Sequence, residues 1–242
     1  MRWLVVGLAF LAHATIAQPL VVSAAASLTN AFRDIGKAFE AAHPGASVAF
    51  NFAASDVLAT QIAKGAPADV FASADEEAMD RGFTANAIVA STRKDFAVNA
   101  LVLVVAAKTS SPKSLADLRS VQRIAVGSPQ TVPAGRYAKE ALERANLWAA
   151  LEPKLVYAQN VRQVLDYVAR DEVEAGFAYA TDAAIMADKV KVAFDVATTT
   201  PVRYPIAVVK DSKQAPLANA FVAYVLSDAG QRVLRQYGFR AP

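Results

Sequence analysis

The sequence predicts an α/β fold with mostly parallel sheets. Short apolar runs alternate with amphipathic stretches along the whole chain, as expected for strands connected by helices. Val48, Phe50 and Phe52 alternate with smaller or polar neighbours, the pattern of a half-buried strand. Val161, Val164, Leu165 and Val168 instead follow the i, i+3, i+4, i+7 spacing of a helix face. Apolar residues make up 55% of the chain, which is ample for a core.

Residues 1–17 read as a signal peptide. Met1-Arg2 is a short charged start, Leu4 to Ala12 is an apolar stretch too short to span a bilayer comfortably, and Thr15-Ile16-Ala17 places small residues before a cleavage point. Cleavage is expected after Ala17, with Ala14 as the alternative. No cysteine follows to carry a lipid, so the expected product is exported and soluble.

Leu20–Ala25 is the first strand, and Leu28, Ala31, Phe32, Ile35 and Phe39 line the inner face of the helix after it. His43-Pro44-Gly45 ends that helix, with His43 expected as a solvent-exposed cap. Ser47–Ala53 is the second strand. Leu58 and Ile62 mark a helix that Gly65 stops, and Asp69–Ser73 is the third strand. Leu101–Ala106, Ile124–Gly127, Lys154–Tyr157, Ala175–Tyr179 and Pro205–Val209 are the remaining strands. Tyr137, Ala141 and Leu142 mark a further helix. Leu217 to Tyr237 reads as helical, with Phe221, Val225 and Leu226 inward. Ala100–Ala107 and Tyr204–Lys210 are unusually well bounded, as strands crossing between two lobes would be. Periodicity is equally compatible with a single sheet.

Composition removes most chemistry. The chain has no cysteine, which excludes disulfides, thiol nucleophiles and thiolate metal sites. Of its two histidines, His13 lies in the leader and His43 in a turn, which leaves little for a Ser-His-Asp triad or a zinc site. A net charge of +3, evenly scattered, gives no argument for nucleic acid. Hydroxyls, backbone amides, carboxylates and Lys/Arg remain.

These groups recur where strands meet helices. Ser27 follows the first strand through a run of alanines, and Ser55 follows the second through Ala53-Ala54; both are expected as helix N-caps. Taken singly, each reads as a cap worth about 1 kcal/mol. Pro133-Ala134-Gly135 suits a first helical turn whose amides can be closely approached. Asn160 can cap the next helix and leave the Val161 amide unpaired, and Tyr179 ends a strand. Helix N-termini favour anions, and open α/β sheets bind ligands beyond their strand ends. Asp56 reads as an exposed first-turn carboxylate, and Arg136 and Arg162 as flanking residues outside the direct contacts.

The ordered motifs AAASLTNAF around Ser27, FAAS ending at Ser55, GAPADVFASAD from Gly65 to Asp75 and VPAGRYAKEAL from Val132 continue through NVR, YATDA, RYPIAVVK and YGF. Over essentially the whole mature chain they resemble the periplasmic molybdate-binding proteins that serve ABC transporters. The resemblance implies a type II periplasmic-binding-protein fold, with two mostly parallel sheets flanked by helices and joined by two crossing strands. Residues 18–99 and 205–242 form one lobe and residues 100–204 the other. It implies a molybdate or tungstate dianion held by the hydroxyls of Ser27, Ser55 and Tyr179 and the backbone N–H groups of Ala134 and Val161. These would be contacts to the oxyanion, not direct metal ligands. It further implies no enzymatic activity, no cofactor and no nucleic acid, a periplasmic monomer, and delivery to a membrane permease with its cytoplasmic ATPase.

A donor-only site suits that ligand. Molybdate is fully deprotonated near neutral pH and only accepts hydrogen bonds. Phosphate keeps a proton there, which such a site leaves unpaired at a cost. Sulfate is smaller, and tungstate nearly matches molybdate in size and charge. Another oxyanion such as sulfate or phosphate, an enzyme on the same fold, and the sensing domain of a regulator are the remaining readings.

Overall fold

The computed structural model describes residues 18–242; the expected leader at 1–17 lies outside the described residues. The strands are β1 (Leu20–Ala25), β2 (Val48–Ala53), β3 (Val70–Ala72), β4 (Lys94–Asn99), β5 (Leu101–Ala106), β6 (Ile124–Gly127), β7 (Leu155–Ala158), β8 (Ala175–Tyr179), β9 (Val190–Val196) and β10 (Val202–Val208). The helices are α1 (Thr29–Ala42), α2 (Ser55–Ala63), α3 (Glu76–Thr84), α4 (Pro133–Arg144), α5 (Trp148–Leu151), α6 (Val161–Ala169), α7 (Ala180–Ala184), α8 (Ala215–Leu226) and α9 (Asp228–Gln236).

The strands form two five-stranded sheets of the same design, ordered β2-β1-β3-β10-β4 and β7-β6-β8-β5-β9. In each, three parallel strands stand beside one reversed strand, β10 or β5, and a fifth strand that resumes the first direction. Four of five strands per sheet therefore run the same way. α1–α3, α8 and α9 pack with the first sheet and α4–α7 with the second. The two sheets and their helices are the two halves of the molecule.

The chain passes between the sheets twice. Ala100 alone separates β4 in the first sheet from β5 in the second. The return lies at 197–201: Val202, Arg203 and Tyr204 already pair with Asn99, Val98 and Ala97 in the first sheet. Those three residues thus stand with the first sheet, ahead of the boundary expected at 205. Neither Ala100–Ala107 nor Tyr204–Lys210 crosses as a strand; β5 and β10, which make up most of them, each lie within one sheet.

Each core is built from the faces that periodicity marked. Phe32 is fully buried and packs edge-on or tilted against Phe50, Phe96 and Phe221, with ring centroids 5.6–6.3 Å apart. Truncating such a ring costs about 3–5 kcal/mol. One local expectation is refined and two are corrected. The stretch from Leu217 to Tyr237 is two helices, because the Ser227 hydroxyl accepts from Gly230 N–H and starts α9 anew. Leu226, beside that break, is exposed. His43 ends α1 but is half-buried, stacked on Phe39. Among the described residues no helix is long and apolar enough to cross a membrane.

Candidate anion-binding site

All six parallel strands end toward the same place. Ala25 of β1 pairs with Ala53 of β2, and each of Ser27 and Ser55 lies two residues further on. Ala74 follows β3. From the second sheet, β6 leads to Ala134, β7 to Val161, and β8 ends on Tyr179. Ser27, Ser55, Ala134, Val161 and Tyr179 all line one small cavity between the halves, with Ala74 beside them. The alanines around it keep side chains short where the backbone must come close.

Neither serine caps a helix. Ser27 lies inside a single 3-10 turn, Ala26–Leu28, that precedes α1, and its Oγ is 3.0 Å from the Tyr204 hydroxyl. Ser55 is the first residue of α2, and its Oγ accepts from Ala74 N–H at 3.0 Å. The expected capping bond is missing because each hydroxyl is turned from its own helix toward a partner far along the chain. For Ser55 this leaves the single hydroxyl proton free to donate.

The amides come from first helical turns, where N–H groups lack intrahelical acceptors. Val132, with extended backbone, precedes Pro133 at the start of α4, so Ala134 sits in the first turn. Gly135 lets that turn lie on β6: a Cβ there would be 1.9 Å from the Gly127 carbonyl oxygen. Asn160 caps α6 as expected, accepting from Gln163 N–H at 3.1 Å, and Val161 follows with its N–H in the first turn. Among the described residues neither the Ala134 nor the Val161 N–H has an acceptor.

Tyr179 is wholly buried, and burial pushes its phenol well above the ordinary value, so it stays a protonated donor near neutral pH. Its hydroxyl is 3.5 Å from the Ala74 carbonyl oxygen. One peptide residue, Ala74, thus meets Ser55 through its N–H and Tyr179 through its C=O.

Two arginines of the second half reach across to the first. Arg136 on α4 reaches Asp75 at 2.6 Å and Asp56 at 2.8 Å. Arg162 on α6 donates to Asp182 at 2.6 Å, Asn30 at 2.9 Å and the Ser27 carbonyl at 3.1 Å. Both are bridges between halves, which flanking positions in the sequence did not reveal. Asp56 is 3% exposed, contrary to the expected surface carboxylate. Arg136 holds its Oδ2, while Arg81 lies 3.1 Å from Oδ1 without hydrogen-bond alignment. Burial raises the Asp75 carboxyl above its ordinary value, against the pull of Arg136. Among the described residues no three His, Cys, Asp or Glu side chains cluster to hold a metal ion.

Tyr204, Asn99, Asp75 and Asp182 are the site-supporting residues that sequence reading missed. Asp75, Asp182 and Tyr204 stand inside motifs already noted, but the partners Arg136, Arg162 and Ser27 that tie them to the site lie at least 20 positions away, which leaves no local signal of that role.

Two similarly wound halves, with strand ends and helix starts facing across one small cavity, define a two-lobed solute-binding protein of the type II periplasmic class. The pattern of the bacterial extracellular solute-binding proteins matches residues 20–240, and the chain belongs to that family. It is 41% identical over 229 residues to the molybdate-binding protein ModA of Escherichia coli K12, covering 91% of this chain and 88% of that one. The periplasmic molybdate-binding protein of Azotobacter vinelandii superposes with a TM-score of 0.79 at 20% identity, over 92% of this chain and 99% of that chain. The sulfate-binding protein SubI of Mycobacterium tuberculosis superposes equally well, with a TM-score of 0.79 at 19% identity, over 93% and 87%. The resemblance read from the motifs therefore holds along the chain, while the fold by itself does not choose the anion. Membership of a solute-binding family makes this a binding protein and not an enzyme.

Proposed function

We propose that this protein captures molybdate, and tungstate with it, between its two halves and hands it to an ABC-type membrane permease driven by a cytoplasmic ATPase. The observation that carries this is the convergence of five hydrogen-bond donors, two from one half and three from the other, on one cavity. The Ser27, Ser55 and Tyr179 hydroxyls and the Ala134 and Val161 amides are its contacts. Helix N-termini contribute about half a positive charge each, so the dianion is met without a buried free cation. The nearby carboxylates of Asp56 and Asp75 are engaged by Arg136. The site thus offers donors and withholds acceptors, which favours a fully deprotonated anion over hydrogen phosphate.

In this reading residues 18–99 with 202–242 and residues 100–201 act as two lobes, and the ligand joins them by bonding to both. The chain is exported by its leader, cleaved after Ala17, and works in the periplasm as a monomer without a cofactor. The 41% identity to a molybdate-binding protein supports molybdate over sulfate.

Thermal unfolding of the exported form with molybdate, tungstate, sulfate and phosphate in turn tests the assignment. A ligand at 100 times its Kd adds about 2.7 kcal/mol, or about 5–10 °C in Tm at this size. Shifts with molybdate and tungstate are expected. A shift with sulfate or phosphate and none with molybdate overturns it.

A further inference from the structure

Ser27 does not face the cavity alone. The Asn99 side-chain amide is oriented by its Oδ1, which accepts from Ala100 N–H at 2.9 Å. Its Nδ2 therefore points the other way and donates both protons, to Thr181 Oγ1 at 2.8 Å and to the Tyr204 hydroxyl at 3.2 Å. Tyr204 then acts as acceptor toward Asn99 and has one proton left. The Ser27 Oγ, at 3.0 Å, is its acceptor. With that lone pair occupied, the Ser27 proton is turned away from Tyr204, toward the cavity that Ser27 lines. Each member is buried, so an unmade bond anywhere along the row is costly. Burial also lifts the Tyr204 phenol well above its ordinary value, which keeps the proton in place.

We infer that Asn99 and Tyr204 are positioning residues that hold the Ser27 hydroxyl as a donor toward the bound anion, and so set the preference for unprotonated anions. Asn99 is the last residue of β4, beside the crossing at Ala100, and Tyr204 stands on β10 just after the return. The direction of one ligand-facing proton is thereby set from both passages between the halves. Thr181, on α7 of the second half, is the other partner of Asn99. Separation of the halves therefore pulls on the residue that orients Ser27. This inference rests on the reading of Ser27 as a molybdate contact.

The test is a double-mutant cycle read by calorimetric titration with molybdate and with phosphate at pH 7. The proteins are the parent, Ser27→Ala, Tyr204→Phe and the double variant. Tyr204→Phe keeps the ring, which packs against Phe96, Tyr179 and Phe239. It is expected to weaken molybdate about tenfold, the cost of one misdirected charge-assisted bond. It is also expected to narrow the ratio of molybdate to phosphate affinity, because a hydroxyl free to turn can accept as well as donate. In the Ser27→Ala background the same substitution is expected to change molybdate binding less than twofold. Asn99→Ala, which removes the donor that directs Tyr204 together with the bonds to Thr181 and Ala100, is expected to act in the same sense at smaller size and stands in if Tyr204→Phe does not fold. Unchanged binding in Ser27→Ala overturns the contact itself. Weakened binding in Ser27→Ala, with Tyr204→Phe neutral or acting equally in both backgrounds, overturns the relay alone.

Discussion

Arg162 donates across the cleft to the main-chain carbonyl of Ser27, Nη2 to O at 3.1 Å. The same guanidinium holds Asn30 of the first half and the buried Asp182 of its own. A planar fork with five donors can serve three partners at once, whereas an ammonium on a flexible stem cannot hold that geometry. Arg162→Lys keeps the charge beside Asp182 and loses the span between halves. It is expected to weaken molybdate binding about tenfold, chiefly through faster release. Stopped-flow dissociation beside a titration checks this; an unchanged release rate shows that the bridge does not hold the closed form.

The Val161 contact is proposed to run through the main chain, and its position allows a clean test. Val161 is the first residue of α6, and Asn160 before it has extended backbone at φ −162 and ψ 171. Both conditions suit proline, which lacks the N–H but starts helices well after an extended residue. Val161→Pro is expected to keep the fold and lower molybdate affinity by about 10- to 100-fold, the value of a charge-assisted hydrogen bond. Val161→Ala, which keeps the N–H, is expected to stay within about threefold. Circular dichroism with titration reads both. Equal losses in the two variants point to the side chain instead.

Asp182 supplies a pH signature. It is wholly buried, and burial pushes its carboxyl above the ordinary 3.8, opposed by Arg162. The folded state thus holds this proton more tightly than the unfolded state does. The stability tied to it is complete below the unfolded value and is withdrawn as pH rises through the folded one. Asp182→Asn removes that titration. Melting curves from about pH 3 to about pH 7 are expected to show the parent losing ground against the variant as pH rises. A constant difference across the range sinks the assignment.

Much of this molecule is legible in its sequence, and the illegible parts share a cause. The helix face of Val161, Val164, Leu165 and Val168 and the alternation at Val48, Phe50 and Phe52 are local patterns that burial imposes, and both elements stand where they point. β4 and β9 escaped notice because each is an edge strand interrupted by charged residues. Lys94, Lys191 and Asp195 face solvent or nearly so and break the apolar runs, as charges on edges do. Ser27 and Ser55 were recognisable at strand ends, but not the partners that claim their oxygens. Tyr204 is 177 residues from Ser27 and Ala74 is 19 from Ser55. Asp56 shows the same limit. A carboxylate in a first helical turn is usually exposed, and Arg136 arriving from the other half, with Arg81 of its own half beside it, makes its burial tolerable.

The reversed strand β10 lies between β3 and β4, although more than 90 residues separate it from either neighbour in the chain. A growing chain emerges from its N-terminus, so β3 and β4 exist long before the strand that joins them. Between these events the entire second sheet, from β5 to β9, is made without interruption. The second half can therefore assemble as a unit while the first waits with two unsatisfied edges. The order in which the chain is written thus makes the first half the one exposed to mispairing, and the last strand the piece that ends the exposure.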